Sequence, residues 1–179
     1  MHNPQWALFF DFHTMPANPD VGKAFDMDAI TDWLAECGVD FIVFPARCNL
    51  GTAYYPTRLG IPHPAMGRDL FGDLVAACHA KRIAISAYIN VGLSHEESYQ
   101  HRDWTVLRVD GRTYGEPFGN SFFRHMCYYS GYADHVMGMA REVVEWYDVD
   151  GLFFDCFHTP PCIGVECMER MKAEGVDFK

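Results

Sequence analysis

The segment from Glu145 to Asp155 constrains the fold of this chain more than any other. It has the pattern of a helix end, a turn, a strand that is almost wholly apolar, and one carboxylate where that strand stops. A continuous apolar run is typical of a strand buried on both faces of a parallel sheet, so Asp155 falls outside the core pattern. We predict that it emerges at the carboxyl end of its strand, where α/β barrels carry their catalytic groups.

The same alternation of strand and helix patterns extends along the chain. Strands are predicted at residues 6–12, 41–44 and 83–89 and in the apolar run that stops at Asp155, and helices at about 26–37, 69–81, 131–147 and 165–173. In the first helix, Ile30, Trp33, Leu34 and Cys37 form one apolar stripe. The order βαβαβαβα requires a parallel sheet with right-handed crossovers, which defines the α/β class.

Four βα units are half of the eight in a TIM (β/α)8 barrel, whose usual size is about 250 residues. We therefore predict that residues 1–179 form a single domain, a half barrel. Its open sheet edges would need a cover, so the chain is expected to be a piece of a longer enzyme or to form a homo-oligomer. Two connections, 46–67 and about 90–129, are long enough to suggest functional loops. Asp110-Gly111 predicts a small hairpin in the second one.

Charge and composition argue against several classes of function. The net charge is −10 and the isoelectric point is about 5.2, which disfavours binding to nucleic acid or to an anionic membrane. There is neither a basic, apolar leader pattern nor an apolar run of bilayer length, so a cytoplasmic location is predicted. The seven cysteines show no disulfide framework and are expected to be reduced, buried thiols.

Polar side chains follow each predicted strand, and the topology would gather them at one mouth, meaning the edge where the parallel strands end. In strand order they are Asp11 and His13, Arg47 and Asn49, Tyr88 and Asn90, and Asp155 and His158. Structural roles stay open for three of them: Asp11 as a turn cap, His13 as a hydrogen-bonded core histidine, and Arg47 as the partner of a structural carboxylate. For Asp155 a functional role is favoured, because a carboxylate after an apolar strand needs a partner to offset desolvation.

Aromatic residues in the predicted loops suggest what this mouth could bind. Flat apolar faces beside hydrogen-bonding groups suit a sugar ring, which has apolar C–H patches and a rim of hydroxyls. Ordinary packing beneath long loops is the alternative. The aromatic residues are Tyr54, Tyr55, Trp104, Tyr114, Tyr128 and Tyr129.

Several motifs carry a family resemblance. They are FIVFPARCNLG at 41–51, YYPT at 54–57, HPAMGRDLFGDLV at 63–75, AISAY at 84–88, HMCYYSGY at 125–132 and DGLFFD at 150–155, followed by Pro160-Pro161-Cys162 and Cys167. Together they resemble glycosyl hydrolases related to α-L-fucosidases, in particular the hypothetical glycosyl hydrolase 6 group. The α-L-fucosidases proper have His-His-Asp where this chain has Arg47-Cys48-Asn49.

The resemblance implies a (β/α)8 barrel that acts on a carbohydrate substrate by a retaining mechanism, without a cofactor. Asp155 would be the nucleophile, and His13, Arg47, Tyr88 and His158 would hold sugar hydroxyls. Among the other strand-end residues, we expect Asp11, Asn49, Asn90 and the loop residue Trp104 to contact the substrate as well.

A retaining mechanism needs a second carboxyl group about 5–5.5 Å from the nucleophile as acid/base. In the related enzymes this group comes from the second half of the barrel. Here Asp11 is the one other strong strand-end carboxylate, whereas Glu96, Glu97 and Glu116 would have to fold back from loops. We therefore expect the isolated chain to hydrolyse little or nothing.

Two other functions stay open. A metal-dependent hydrolase could use Asp11, His13, Asp155 and His158, with His125, to bind Zn²⁺. A half barrel could also serve as a carbohydrate-binding or assembly module without catalysis. Separately, His158, Cys162 and Cys167 could form a structural zinc site, but the cysteine spacing falls at a predicted helix start and no second pair follows, so packing or a turn is preferred.

Overall fold

A computed structural model describes residues 3–114, 123–158 and 160–176. The strands are β1 (Ala7–Phe9), β2 (Phe41–Arg47), β3 (Thr52–Ala53), β4 (Ile61–Pro62), β5 (Ala84–Asn90) and β6 (Gly151–Asp155). The α-helices are α1 (Met27–Glu36), α2 (Leu70–Ala80), α3 (Glu97–Gln100), α4 (Tyr132–Trp146) and α5 (Val165–Ala173), with a 3₁₀ turn at Arg102–Trp104. None of the helices in these ranges is long and apolar enough to cross a bilayer.

The six strands form one mostly parallel sheet. β2 pairs in parallel with β1 on one side and with β5 on the other, and β6 pairs in parallel with β5. β3 is antiparallel to the end of β2, and β4 is parallel to β3. The predicted α/β class and the parallel arrangement are confirmed. The loop after β2 also carries the two short strands β3 and β4, which its Gly- and Pro-rich sequence did not indicate.

The bounds of two strands differ from the sequence prediction. β2 continues through Pro45 to Arg47, and its register with β5 shifts between these two residues. A proline is tolerated at such an irregularity because its missing N–H interrupts the ladder where the pairing is already broken. β1 has three residues where a strand over 6–12 was predicted. The hairpin at Asp110-Gly111 is present, with an antiparallel bridge between Leu107 and Thr113.

The core lies between one face of the sheet and helices α1, α2 and α4. Strand residues such as Ile42, Phe44 and Ile85 are fully buried there. In α1 the buried positions are Met27, Thr31 and Leu34, whereas Trp33 and Cys37 are exposed, so the predicted stripe was partly wrong. The helix turns the i, i+4, i+7 row inward, which leaves Trp33 on the solvent side. All seven cysteines are free thiols, but only Cys48, Cys78, Cys127 and Cys167 are buried, so the expectation that the cysteines are buried was partly wrong.

Strand β6 is less buried than its sequence predicted. Leu152, Phe153 and Phe154 are 38–42% exposed, so the expectation of burial on both faces was wrong. The reason is its place at the sheet edge, where β5 is its one partner among the described strands. At the opposite edge, Leu8 and Phe9 of β1 are similarly exposed. The apolar side chains of β6 and β1 therefore form a surface that the described residues do not cover.

Candidate active site

Asp155 ends β6 and faces two side chains of the neighbouring strand β5. Tyr88 and Asn90 are two residues apart and therefore share one face of the sheet, and the register pairs Asn90 with Asp155. The Tyr88 hydroxyl donates a hydrogen bond of 2.6 Å to Asp155 Oδ2. Asn90 Nδ2 donates to the Tyr88 oxygen at 2.9 Å and approaches Asp155 Oδ2 at 3.5 Å. The strand pairing itself thus builds a small hydrogen-bonded network around the carboxylate.

This network keeps Asp155 ionised. Burial alone would raise the pKa of Asp155, but the hydrogen bonds from Tyr88 and from the backbone of Cys156 outweigh it and hold the pKa below its usual range. Burial and the adjacent carboxylate raise the pKa of Tyr88. The tyrosine therefore stays protonated as a donor. The side chains that donate to Asp155 are those of Tyr88, Asn90 and Cys156, and all three contact Oδ2. No side chain of the described residues donates to Oδ1.

The residue after Asp155 has an unusual backbone. Cys156 has φ of 56°, in the left-handed region that a non-glycine residue rarely adopts. Its carbonyl oxygen lies against Gly92, where a Cβ would be only 1.9 Å away. Because such conformations persist only where the surrounding structure holds them, and often occur at functional sites, this turn is a further indication of a site at the end of β6.

His13 and Asp11 lie at the same edge of the sheet. His13 Nε2 is 2.6 Å from Asp11 Oδ1, and the His13 ring centroid is 5.9 Å from that of Tyr88. Burial would lower the pKa of His13, but Cys48, Asp11 and Asp155 raise it overall. We call Asp11, His13, Tyr88, Asn90 and Asp155 the Asp155 site.

Arg47 is buried beneath this site and does not open into it. Its Nη2 lies 2.7 Å from Glu97 Oε2, both side chains are at most 2% exposed, and Glu97 Oε1 lies 2.7 Å from His135 Nε2. Burial opposes the charge on Glu97, but Arg47 and His135 together lower its pKa to about 2. Arg47 Nη1 also donates to the backbone carbonyls of Asn90 and Leu93. Glu97 is therefore the structural carboxylate partner that the sequence analysis left open as an alternative role for Arg47.

The other predicted residues are Asn49, Trp104 and His158, and none of their ring contacts or hydrogen bonds within the described residues is with the Asp155 site. Asn49 is buried, and its Oδ1 has no hydrogen-bond partner among the described residues. Trp104 stacks on His101 at 3.7 Å and packs against His135 of α4. His158 is exposed, with its ring 5.4 Å from that of His125. Burial and His158 lower the pKa of His125.

Sequence reasoning named Tyr88 but missed the two phenylalanine rings that pack beside it. Phe9, Tyr88 and Phe153 come from three strands, with ring centroids 5.6–5.9 Å apart. The sequence could have indicated them, because residues two apart in a strand share one face. Phe9 lies two residues before Asp11, and Phe153 lies two residues before Asp155. The loop residues Tyr54 and Tyr55 are instead fully buried in the core, as the packing alternative proposed.

The ligands expected for a hydrolytic zinc site are not gathered together, whereas Cys162 and Cys167 of the structural zinc hypothesis are close to each other, with Cys127 rather than His158 beside them. Within residues 3–114, 123–158 and 160–176, the sole group of three or more liganding side chains close enough to share one ion is Cys127, Cys162 and Cys167. The set of Asp11, His13, Asp155 and His158 does not form such a group. Among the loop acids, Glu97 is paired with Arg47, and Glu116 lies outside the described residues.

Comparisons with known proteins place this geometry in context. A family model described as hypothetical glycosyl hydrolase 6 matches residues 26–156. The structure of α-L-fucosidase isoenzyme 2 from Paenibacillus thiaminolyticus is similar, with a TM-score of 0.87 and 28% identity over 96% of this chain and 26% of that one. A Thermotoga maritima α-fucosidase in complex with fucose has a TM-score of 0.55 and 22% identity, over 83% of this chain and 32% of that one.

A hypothetical protein from Ruminiclostridium thermocellum shares the fold over a chain of comparable length. Its TM-score is 0.61 at 15% identity, over 85% of this chain and 86% of that one. No curated protein sequence matches the chain. The chain spans about a quarter of the Paenibacillus enzyme and about a third of the Thermotoga enzyme.

Proposed function

Since the chain belongs to the hypothetical glycosyl hydrolase 6 family, we propose that it supplies half of a TIM-barrel catalytic domain that hydrolyses glycosides of the α-L-fucoside type. The observation that carries this proposal is Asp155, an ionised carboxylate at the end of a parallel strand, hydrogen-bonded through one oxygen. The structural likeness to α-L-fucosidases supports the same substrate class.

In the proposed mechanism Asp155 is the nucleophile. Its Oδ2 accepts the Tyr88 hydrogen bond, and Oδ1 attacks the anomeric carbon as the bond to the leaving oxygen breaks. That oxygen takes a proton from an acid, and water then cleaves the glycosyl ester with the same group acting as base. A low pKa suits this role because the carboxylate must be charged when it attacks, and the charge disperses in the transition state.

The sugar would be held by the rest of the Asp155 site. His13 would contact a sugar hydroxyl, and Asp11, which lies against His13 Nε2, and His158 would accept or donate at the rim. Phe9 and Phe153 offer exposed ring faces for the apolar side of the sugar. We assign Arg47 a positioning role, because it holds the backbone carbonyl of Asn90 and has its own carboxylate partner.

The acid/base would come from outside this half of the barrel. Asp11 is already in contact with His13, and Glu97 is buried against Arg47. The exposed apolar edges of β1 and β6 fit a sheet that continues into further strands. The isolated chain is therefore expected to have a nucleophile and part of a sugar site, but negligible turnover.

The test supplies the missing half and then removes the nucleophile. The chain is fused to the remaining strands of the Paenibacillus α-L-fucosidase catalytic domain and assayed with an aryl α-L-fucoside. Asp155→Asn should lower kcat by at least about 10³-fold, the scale of losing a catalytic group, and a 2-fluoro-fucosyl fluoride should label Asp155 in the unmutated protein. Asp103→Asn, an exposed aspartate outside the site, is the matched control and should keep full activity.

Three results would count against the proposal. Full activity in Asp155→Asn would exclude Asp155 as nucleophile. Label on a different carboxylate would do the same. Fucoside binding with neither turnover nor labelling would instead indicate a non-catalytic carbohydrate-binding module.

A further inference from the structure

Three cysteines from separate parts of the chain meet in a small cluster away from the Asp155 site. Cys127 follows the bridge at Met126, Cys162 lies in the loop after β6, and Cys167 is in the first turn of α5. Their sulfur atoms all lie within 4.8 Å of one another, and Cys127 Sγ is 3.3 Å from Cys167 Sγ. Three ligands around a tetrahedral ion with bonds of about 2.3 Å are separated by about 3.8 Å, which falls within this range.

We propose that Cys127, Cys162 and Cys167 form a binding site for a thiophilic metal ion, with Zn²⁺ as the preferred occupant. Thiolates are soft ligands that select such ions, and three of them leave one tetrahedral position. A cavity of about 340 Å³, lined by Cys162, Cys167, Met171 and Glu174, adjoins the cluster. It offers an entry path and room for a solvent molecule as the fourth ligand.

The surroundings of Cys162 support this assignment. The backbone N–H groups of Leu107 and Gly164 lie 3.4 and 3.3 Å from its sulfur and are oriented as donors. Hydrogen bonds of this kind stabilise a thiolate and orient a metal ligand.

A metal ion at this site would help to hold α5 against the rest of the chain. Of the nine residues of α5, Cys167 is the one that is buried. Hydrophobic burial therefore does little to hold the helix against Val106 and the loop that follows it. A metal bound to all three cysteines would fasten α5 and the loop after β6 to the segment around Cys127. A disulfide between Cys127 and Cys167 would use two sulfurs and leave Cys162 without this role.

The test uses the whole chain, purified under reducing conditions, stripped with a chelator and titrated with Zn²⁺. We expect one ion per chain, thiolate-to-metal charge-transfer absorption when Co²⁺ replaces Zn²⁺, and slower hydrogen exchange in α5 once metal is bound. Cys127→Ser, Cys162→Ser and Cys167→Ser should each weaken binding beyond the roughly 10- to 100-fold that loss of an outer-shell partner costs. Exposed Cys37→Ser and buried Cys78→Ala are controls that should bind normally.

Two results would overturn the proposal, and neither depends on glycosidase activity. Absence of stoichiometric zinc in the reduced wild-type chain would exclude the site, and because this measurement needs no substitution, misfolding of a variant cannot obscure it. Titration of five thiols rather than seven in the denatured, unreduced protein, with no bound metal, would show that two of the seven cysteines have formed a disulfide instead.

Discussion

At the scale of single residues, the shortest hydrogen bond to Asp155 comes from Tyr88 of β5. Tyr88 is almost fully buried and donates to Oδ2 at 2.6 Å. Hydrogen bonds to charged groups are stronger than neutral ones, so this contact stabilises the ionised carboxylate in particular. The tyrosine thus tunes a neighbouring group in addition to filling space.

Tyr88→Phe should raise the pKa of Asp155. The depressed pKa reflects preferential stabilisation of the charged form, so removal of the donor moves it up towards its ordinary value. The measurement is a carboxyl-carbon NMR titration of the labelled chain. In a reconstituted enzyme the acidic limb of the kcat/KM profile should move to higher pH as well.

The matched control for Tyr88→Phe is Tyr147→Phe. The Tyr147 hydroxyl also donates to an aspartate oxygen at 2.6 Å, but that aspartate is Asp69, at the start of α2. This variant should leave Asp155 unchanged. An equal shift in both variants, or none in Tyr88→Phe, would contradict the role given to Tyr88.

At the scale of elements, a buried ion pair connects three of them. Arg47 ends β2, Glu97 begins α3 and His135 lies in α4, and Glu97 bridges the other two side chains. Arg47 Nη1 also holds the carbonyls of Asn90 and Leu93 after β5. This network fixes the place of the long loop after β5 against the end of the sheet.

Glu97→Gln should lower the free energy of unfolding by about 3–5 kcal/mol, since it leaves the charge of Arg47 buried and uncompensated. The pKa of Glu97 is about 2 in the folded chain and lies near its usual value, about 4.5, in the unfolded one. Its stabilisation is therefore complete above about pH 5 and is lost as the pH falls towards 2.

Urea unfolding at a series of pH values measures this effect. The decline in stability between about pH 5 and 2 should be shallower in Glu97→Gln than in wild type. Glu36→Gln, at an exposed position in α1, should behave as wild type. Identical pH slopes for Glu97→Gln and wild type would refute the assignment.

At the scale of the whole molecule, the edge strands β1 and β6 carry apolar side chains that no described residue covers fully. Leu8 and Phe9 are exposed on β1, and Leu152 to Phe154 are exposed on β6. Unpaired, apolar edge strands tend to recruit further strands. The chain on its own should therefore associate with itself, whereas in a completed barrel these edges would be paired.

Light scattering over a range of concentrations tests this expectation. The wild-type mass should rise with concentration, and Phe154→Lys should reduce that rise, because a charge on the edge strand opposes strand addition. Val109→Lys is the control, since Val109 is more exposed but lies beside the hairpin turn. A monomer at all concentrations would argue against open edges in solution.

Much of the architecture could be predicted from local patterns in the sequence. Helix α5 has the predicted bounds, and Asp155 stands where the apolar run of β6 predicted it. Hydrophobic periodicity and helix-capping patterns involve residues only a few positions apart, so they can be recognised without knowledge of the tertiary structure. The family motifs likewise lie within short segments, and the resemblance they carry is confirmed by the match over residues 26–156, which includes all of them up to Asp155.

Other features depended on tertiary structure. The sequence placed Arg47 at the mouth, but its long side chain turns inward to Glu97, fifty residues further along the chain. Similarly, Cys127 joins Cys162 and Cys167, whereas the sequence hypothesis had named His158 as the third member. Local sequence determines where a strand or helix lies, whereas the direction of a side chain and its distant partners are set by burial and charge pairing once the elements have packed.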